Sequence, residues 1–152
     1  MDEYYMNEAI KQACVCTYEV PVGAVIVYED KIIGRGYNLI ETTNDPTTHA
    51  EIIAIRQASN YLDSWRLVDC TMYVTLEPCA MCAGAIVNSR IKRLVIGALD
   101  DKRGCCGSVE DLVRHPRFNH RVDLTIGVLE DQCSKLLKDF FKELRENKDA
   151  KL

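Results

Sequence analysis

The chain has no apolar run near the roughly 20 residues that a membrane-spanning helix needs, and no basic start leading into an apolar stretch. Together these absences exclude a spanning protein and predict a cytoplasmic location. Cysteine is too sparse for a small secreted scaffold: eight in 152 residues is about 5%, against roughly 8 to 10% in disulfide-stapled chains. The thiols are therefore expected to be reduced. Positive charge is not in excess, because 19 Lys and Arg face 23 Asp and Glu for a net charge of -4. That balance excludes indiscriminate binding to nucleic acid by release of counterions, so any polynucleotide must be met by a local patch. Internal repeats and low-complexity linkers are also missing. With 47% hydrophobic content, 152 residues suit one compact domain, 1–152, with 147–152 as a frayed tail.

What the chain does have is His49-Ala50-Glu51, followed after a gap by Pro78-Cys79-Ala80-Met81-Cys82. Histidine and two cysteines make three metal ligands, and Glu51 remains free for chemistry. A structural zinc site closes its tetrahedron with four protein ligands, whereas a catalytic one uses three and leaves a position to water. Cys79 and Cys82 are three apart and would share one face of a helix that Pro78 helps to start. A helix N-terminus favours the thiolate that a metal needs. His49 follows Thr47 and Thr48, candidate caps of a second helix. On a helix body, His49 and Glu51 would point roughly 200° apart, so their convergence requires the metal to lie off the helix end. A redox Cys-x-x-Cys is the rival reading, but it would require neither the upstream His-x-Glu nor Glu77-Pro78.

Hydrophobic periodicity predicts a helix over 2–18, strands over 22–28 and 31–37 around a Glu29-Asp30 turn, and a helix from about 48 to 61. A strand over 70–76, a helix over 79–88, and strands over 93–98 and 122–128 follow, with a last helix over 130–146. The connection 99–121 is long enough to cross the sheet, with a helix expected near 109–114, so strands four and five can be parallel.

These motifs resemble the tRNA-specific adenosine deaminases of the cytidine-deaminase superfamily. Beyond the ligand set, the likeness includes Val20 to Val25, Asn38, Asp45 to Ile52, Thr75 to Ile86, Ser89 to Ile91, Asp100 to Gly104, Gly107-Ser108 and Asn119 to Val122. It implies a three-layer α/β/α fold around a mixed five-stranded sheet with strands four and five parallel. It also implies one Zn2+ held by His49, Cys79 and Cys82, with Glu51 as general acid/base. The implied reaction is hydrolytic: water attacks C6 of the wobble adenosine in a tRNA anticodon loop, ammonia leaves and inosine remains. A homodimer is the usual family state. Candidate substrate contacts are Asn38, Asp100, Lys102, Arg103, His115, Asn119 and Arg121.

Bland readings stand beside several of these residues. Asn38 can stabilise a turn, and His115 and His120 lie in a polar stretch where solvation is the ordinary state. Cys14 with Cys16, and Cys105 with Cys106, lack a companion histidine or second Cys-x-x-Cys and read as small buried hydrophobes. Two other functions share the signature: a free-base (guanine) deaminase, and a catalytically silent RNA-binding subunit of a deaminase complex. The segments Asp100 to Gly104 and Asn119 to Arg121 favour the tRNA branch over the first, and the presence of Glu51 counts against the second.

Overall fold

Residues 1–150 are described by the structure, a computed structural model. The order is α1 (Asp2–Ala13), β1 (Gly23–Tyr28), β2 (Lys31–Tyr37), α2 (Ile40–Thr43), α3 (Ala50–Leu62), β3 (Thr71–Leu76), α4 (Ala80–Asn88), β4 (Arg93–Ala98), β5 (Asp123–Ile126) and α5 (Glu130–Ala150). The strands form one sheet in the order β2-β1-β3-β4-β5. β1 is antiparallel to both β2 and β3, whereas β3, β4 and β5 run parallel. This is the mixed sheet and parallel β4–β5 pair expected from the sequence.

The central strands are apolar on both faces because both are covered. Ala24, Ile26, Met72, Val74, Leu94 and Ile96 pack with α3 and α4 residues such as Ala54, Ala58, Ile86 and Val87. Their alternates Val25, Val27, Tyr73 and Val95 pack with Met6 and Ala9 of α1 and Cys133 of α5. The period-two alternation thus makes three layers from one set of strands. Gly36 of β2 lets α3 approach closely: a Cβ there would lie 2.2 Å from the Ala50 carbonyl oxygen.

Several expected boundaries move. α1 stops at Ala13 rather than continuing to Tyr18; the residues that follow include β-branched Val15 and Thr17, which are poor helix formers. The helix expected near 109–114 is absent: these residues form turns and a short Cys106–Asp111 bridge. Their backbone groups are taken by other partners, since Val109 N donates to Gly104 O, Leu112 N to Cys105 O and Val122 N to Val113 O. The parallel β4–β5 connection therefore crosses without a helix. Conversely, α2 was not expected. Its first amides are held from outside, with Glu41 N and Thr42 N donating to the carboxylate of Glu19. α5 continues past Glu146 to Ala150, while Lys151 and Leu152 of the expected tail lie outside the described residues.

Candidate metal centre and active-site pocket

Two helix starts meet at the C-terminal edge of β3. His49 is the N-cap of α3, with φ -72° and ψ 153°, and Cys79 is the N-cap of α4, with φ -74° and ψ 179°. Both residues are extended rather than helical. This resolves the convergence problem: His49 leaves the helical path one residue before it begins, so it and Glu51 need not diverge around a helix body. Neither N-cap side chain makes a capping hydrogen bond, which leaves the imidazole and thiol turned toward each other. The opening amide of α3 is served instead by Asn38, whose Oδ1 accepts from Ala50 N at 2.9 Å while its Nδ2 donates to Val20 O at 3.1 Å.

His49 Nδ1 lies 3.7 Å from Cys79 Sγ and 3.5 Å from Cys82 Sγ, and the three ligand atoms fall within 4.8 Å of one another. A tetrahedral zinc with Zn–N near 2.0 Å and Zn–S near 2.3 Å has N···S edges of roughly 3.5 Å. The donor set therefore fits zinc in both chemistry and spacing, and three donors leave one position open. Cys79 is drawn down to about 3, first by the Cys82 thiol that donates to it and then by His49, despite burial; Cys82 is raised by the same partnership. Hydrogen bonding to Cys79 raises His49.

Glu51 occupies the first turn of α3 and is only 4% exposed. Burial pushes its carboxyl above the usual range, a setting that suits a group that must both take and return a proton. The pocket in front of it, about 130 Å³, is lined by Asn38, His49, Glu51, Cys79, Asp100 and Arg103, with Val20, Val22, Ile40, Leu76 and Glu77. Apolar walls with a few convergent polar groups are the ordinary make-up of a small-molecule or base site.

The structure brings together Asn38, Asp100 and Arg103 from the expected contacts. Lys102, His115, Asn119 and Arg121 lie outside this lining. Lys102 is exposed on the same turn as Arg103. His115 stacks on Phe118 with ring centroids 4.5 Å apart, and Arg121 reaches the Pro116 carbonyl oxygen. Arg121 also joins Arg66, Arg90, Lys92 and His120 around a separate depression at the opposite end of β4, where Lys92 and Arg93 lead into the strand. The sequence reading did not single out Glu77 for a role. Its signal was a carboxylate directly following a buried apolar strand, a position that demands a partner.

The MafB19-like deaminase family matches residues 2–145. A tRNA-specific adenosine deaminase from Bacillus subtilis is 49% identical over 151 residues, covering 98% of this chain and 94% of its own. One from Haemophilus influenzae is 48% identical over 150 residues, covering 97% and 87%. The chain belongs to the tRNA-specific adenosine deaminase family. A solved structure from work on tRNA:A34 deaminases that edit the wobble position superimposes on this deaminase with a TM-score of 0.84 at 40% identity, covering 88% of this chain and 99% of that one. A guanine deaminase from Nitrosomonas europaea shares the fold at 23% identity, with a TM-score of 0.77 over 91% of this chain and 83% of its own.

Proposed function

We propose that this deaminase converts the wobble adenosine of a tRNA anticodon loop to inosine, releasing ammonia, with one zinc ion held by His49, Cys79 and Cys82. The observation that carries the reading is the triad of ligand atoms at tetrahedral spacing with a buried carboxylate beside it. The substrate follows from the relatives named tRNA-specific adenosine deaminase at 42 to 49% identity. When bound, zinc supplies acidity to a water, lowering its pKa to roughly 7.

Glu51 supplies the proton traffic. Its carboxylate takes a proton from the attacking water and delivers it to N1 of the purine as the C6–O bond forms. A second proton passes through the same carboxylate to the exocyclic nitrogen as the C6–N bond breaks. One water enters, one ammonia leaves, and no electrons are exchanged with a cofactor. Val20, Val22 and Leu76 exclude bulk water around the base, while Asp100 and Arg103 form the polar rim. Asn38 presents an amide at the pocket but spends Oδ1 on Ala50 and one Nδ2 hydrogen on Val20. It fixes the start of α3 and keeps one donor for substrate.

An unpaired anticodon base can enter such a pocket at lower cost than a base in a duplex. Among the described residues no helix is long and apolar enough to cross a membrane, and the location we propose for the reaction is the cytoplasm. The working form is a homodimer. The test is to incubate zinc-loaded protein with an anticodon stem-loop bearing wobble adenosine, alongside guanine and cytidine, and to follow the mass change, with sedimentation giving the oligomer. Inosine formed in the stem-loop alone supports the reading; conversion of guanine with an untouched stem-loop overturns it.

A further inference from the structure

We propose that Glu77 is a positioning residue: its carboxylate clamps the segment 100–108 across the mouth of the pocket and so sets where Asp100 and Arg103 meet the substrate. The inference rests on the function proposed above for its substrate, but not for its geometry.

Glu77 follows β3 and is tied to the sheet by its own amide, which donates to Ala98 O at 2.8 Å. Its side chain is 2% exposed, and none of the ion pairs found among the described residues includes it. A buried carboxylate without a cation is costly unless donors surround it. Here four do. Oε1 accepts from Asp100 N at 3.0 Å and from the Ser108 hydroxyl; Oε2 accepts from Cys106 N at 2.9 Å and Ser108 N at 3.1 Å. All four come from one loop. Gly104, in the middle of that loop, lies against the carboxyl so closely that a Cβ would fall 2.2 Å from Glu77 Cδ.

The clamp reaches the pocket by a short route. Once Asp100 N is held, the Asp100 carboxylate accepts from Lys102 N and Arg103 N, both at 3.1 Å, and folds the chain so that Arg103 lines the pocket beside His49, Glu51 and Cys79. On the other side Cys105 N donates to Pro78 O at 2.9 Å, one residue before the ligand Cys79. Glu77 is therefore the joint between the ligand-bearing turn and the loop that supplies the polar rim. Because all its partners lie within 100–108, the effect of Glu77 is concentrated on the loop that carries Asp100 and Arg103.

The test is Glu77→Gln, which keeps the volume but turns one acceptor oxygen into a donor amide, so at least one loop N–H loses its partner. In the zinc-loaded protein, KM for the anticodon stem-loop should rise about tenfold while kcat at saturating RNA stays within about threefold. Zinc should remain at one per chain. Hydrogen exchange at the amides of Asp100, Cys106 and Ser108 should accelerate, with β3 and α4 unaffected. Unchanged exchange over 100–108, or faster exchange with KM unmoved, overturns the clamp. So does a loss of kcat that merely tracks loss of folded or zinc-loaded protein. Should Glu77→Gln fail to fold, Ser108→Ala removes one donor group from an exposed residue and must give the same pattern at a smaller size; no shift in either readout overturns the proposal. If the unaltered protein leaves the stem-loop untouched, the proposed substrate fails, whereas the exchange measurement still decides the clamp.

Discussion

The two helix starts at the ligand cluster and the crossover 99–121 meet at the same pocket, yet they are built on opposite principles. At the helix starts, short motifs place their own functional atoms: His49 and Cys79 are N-caps, and Glu51 and Cys82 follow within the first turn. The crossover has almost no regular structure of its own, and its first part, 100–108, is held by Glu77, more than twenty residues earlier in the chain. Local chemistry defines the reacting centre, and long-range hydrogen bonding defines what surrounds it.

Breaking the first region should have the largest effect. Cys82→Ala removes a proposed ligand that is wholly buried, and we expect loss of stoichiometric zinc and of all deamination, read by metal analysis and by mass spectrometry of the RNA. Glu51→Ala separates ligation from proton transfer: zinc should stay near one per chain while kcat falls by roughly 10²- to 10⁴-fold. Unchanged turnover would remove Glu51 from the proton path.

Loosening the core anchor of the second region, as opposed to its Glu77 contacts, should read out as stability. Val113 belongs to the irregular crossover, yet it is fully buried against the core shared with α3 and α4. Val113→Ala is expected to cost about 2 kcal/mol in denaturant unfolding, with little change in zinc content. A cost near zero would mean that the crossover is not anchored through the core.

The smallest effect sharpens the comparison from a site remote from both. Arg93 donates twice to the Asp2 carboxylate, at 2.9 and 2.7 Å, and this bond, aided by Tyr73, holds the Asp2 carboxyl below its usual range despite burial. Because the folded-state pKa is depressed, the contribution is complete above the unfolded pKa, near 3.9, and disappears as pH falls through the folded value. Both partners are about a third exposed, so screening limits the pair to under about 1 kcal/mol. The stability gap between the unaltered protein and Asp2→Asn should be constant from pH 7 to about 5 and close below about 4.

The same division explains what could be read from the sequence. The strands were legible because apolar runs such as Ala24-Val25-Ile26-Val27 and Leu94-Val95-Ile96 mark buried sheet, and Lys31–Tyr37 and Arg93–Ala98 fall where expected. The convergence of His49, Cys79 and Cys82 was legible because each half of the motif lies within four residues of chain. The Val109–Arg114 helix was misread because helical spacing of apolar residues says nothing about backbone amides already engaged with Gly104 and Cys105. α2 was missed for the converse reason: its capping carboxylate, Glu19, lies some twenty residues upstream. The proposed contacts divide likewise. Asp100 and Arg103 reach the pocket through a turn held by Glu77, whereas Arg121, expected with them among the substrate contacts, joins a depression with Arg66 and Arg90.

Glu19 and Glu77 have one more thing in common. Each is a buried carboxylate satisfied by backbone amides and a hydroxyl rather than by lysine or arginine. Dissolved electrolyte weakens attraction between exposed charges over a Debye length of about 8 Å at physiological concentration but reaches buried hydrogen bonds far less. The pocket walls should therefore keep their shape in concentrated salt, even as phosphate contacts fade. Recognition of the RNA backbone and the geometry of the chemical centre then respond separately to ionic strength: salt can loosen the grip on the polymer without deforming the cavity that receives its base.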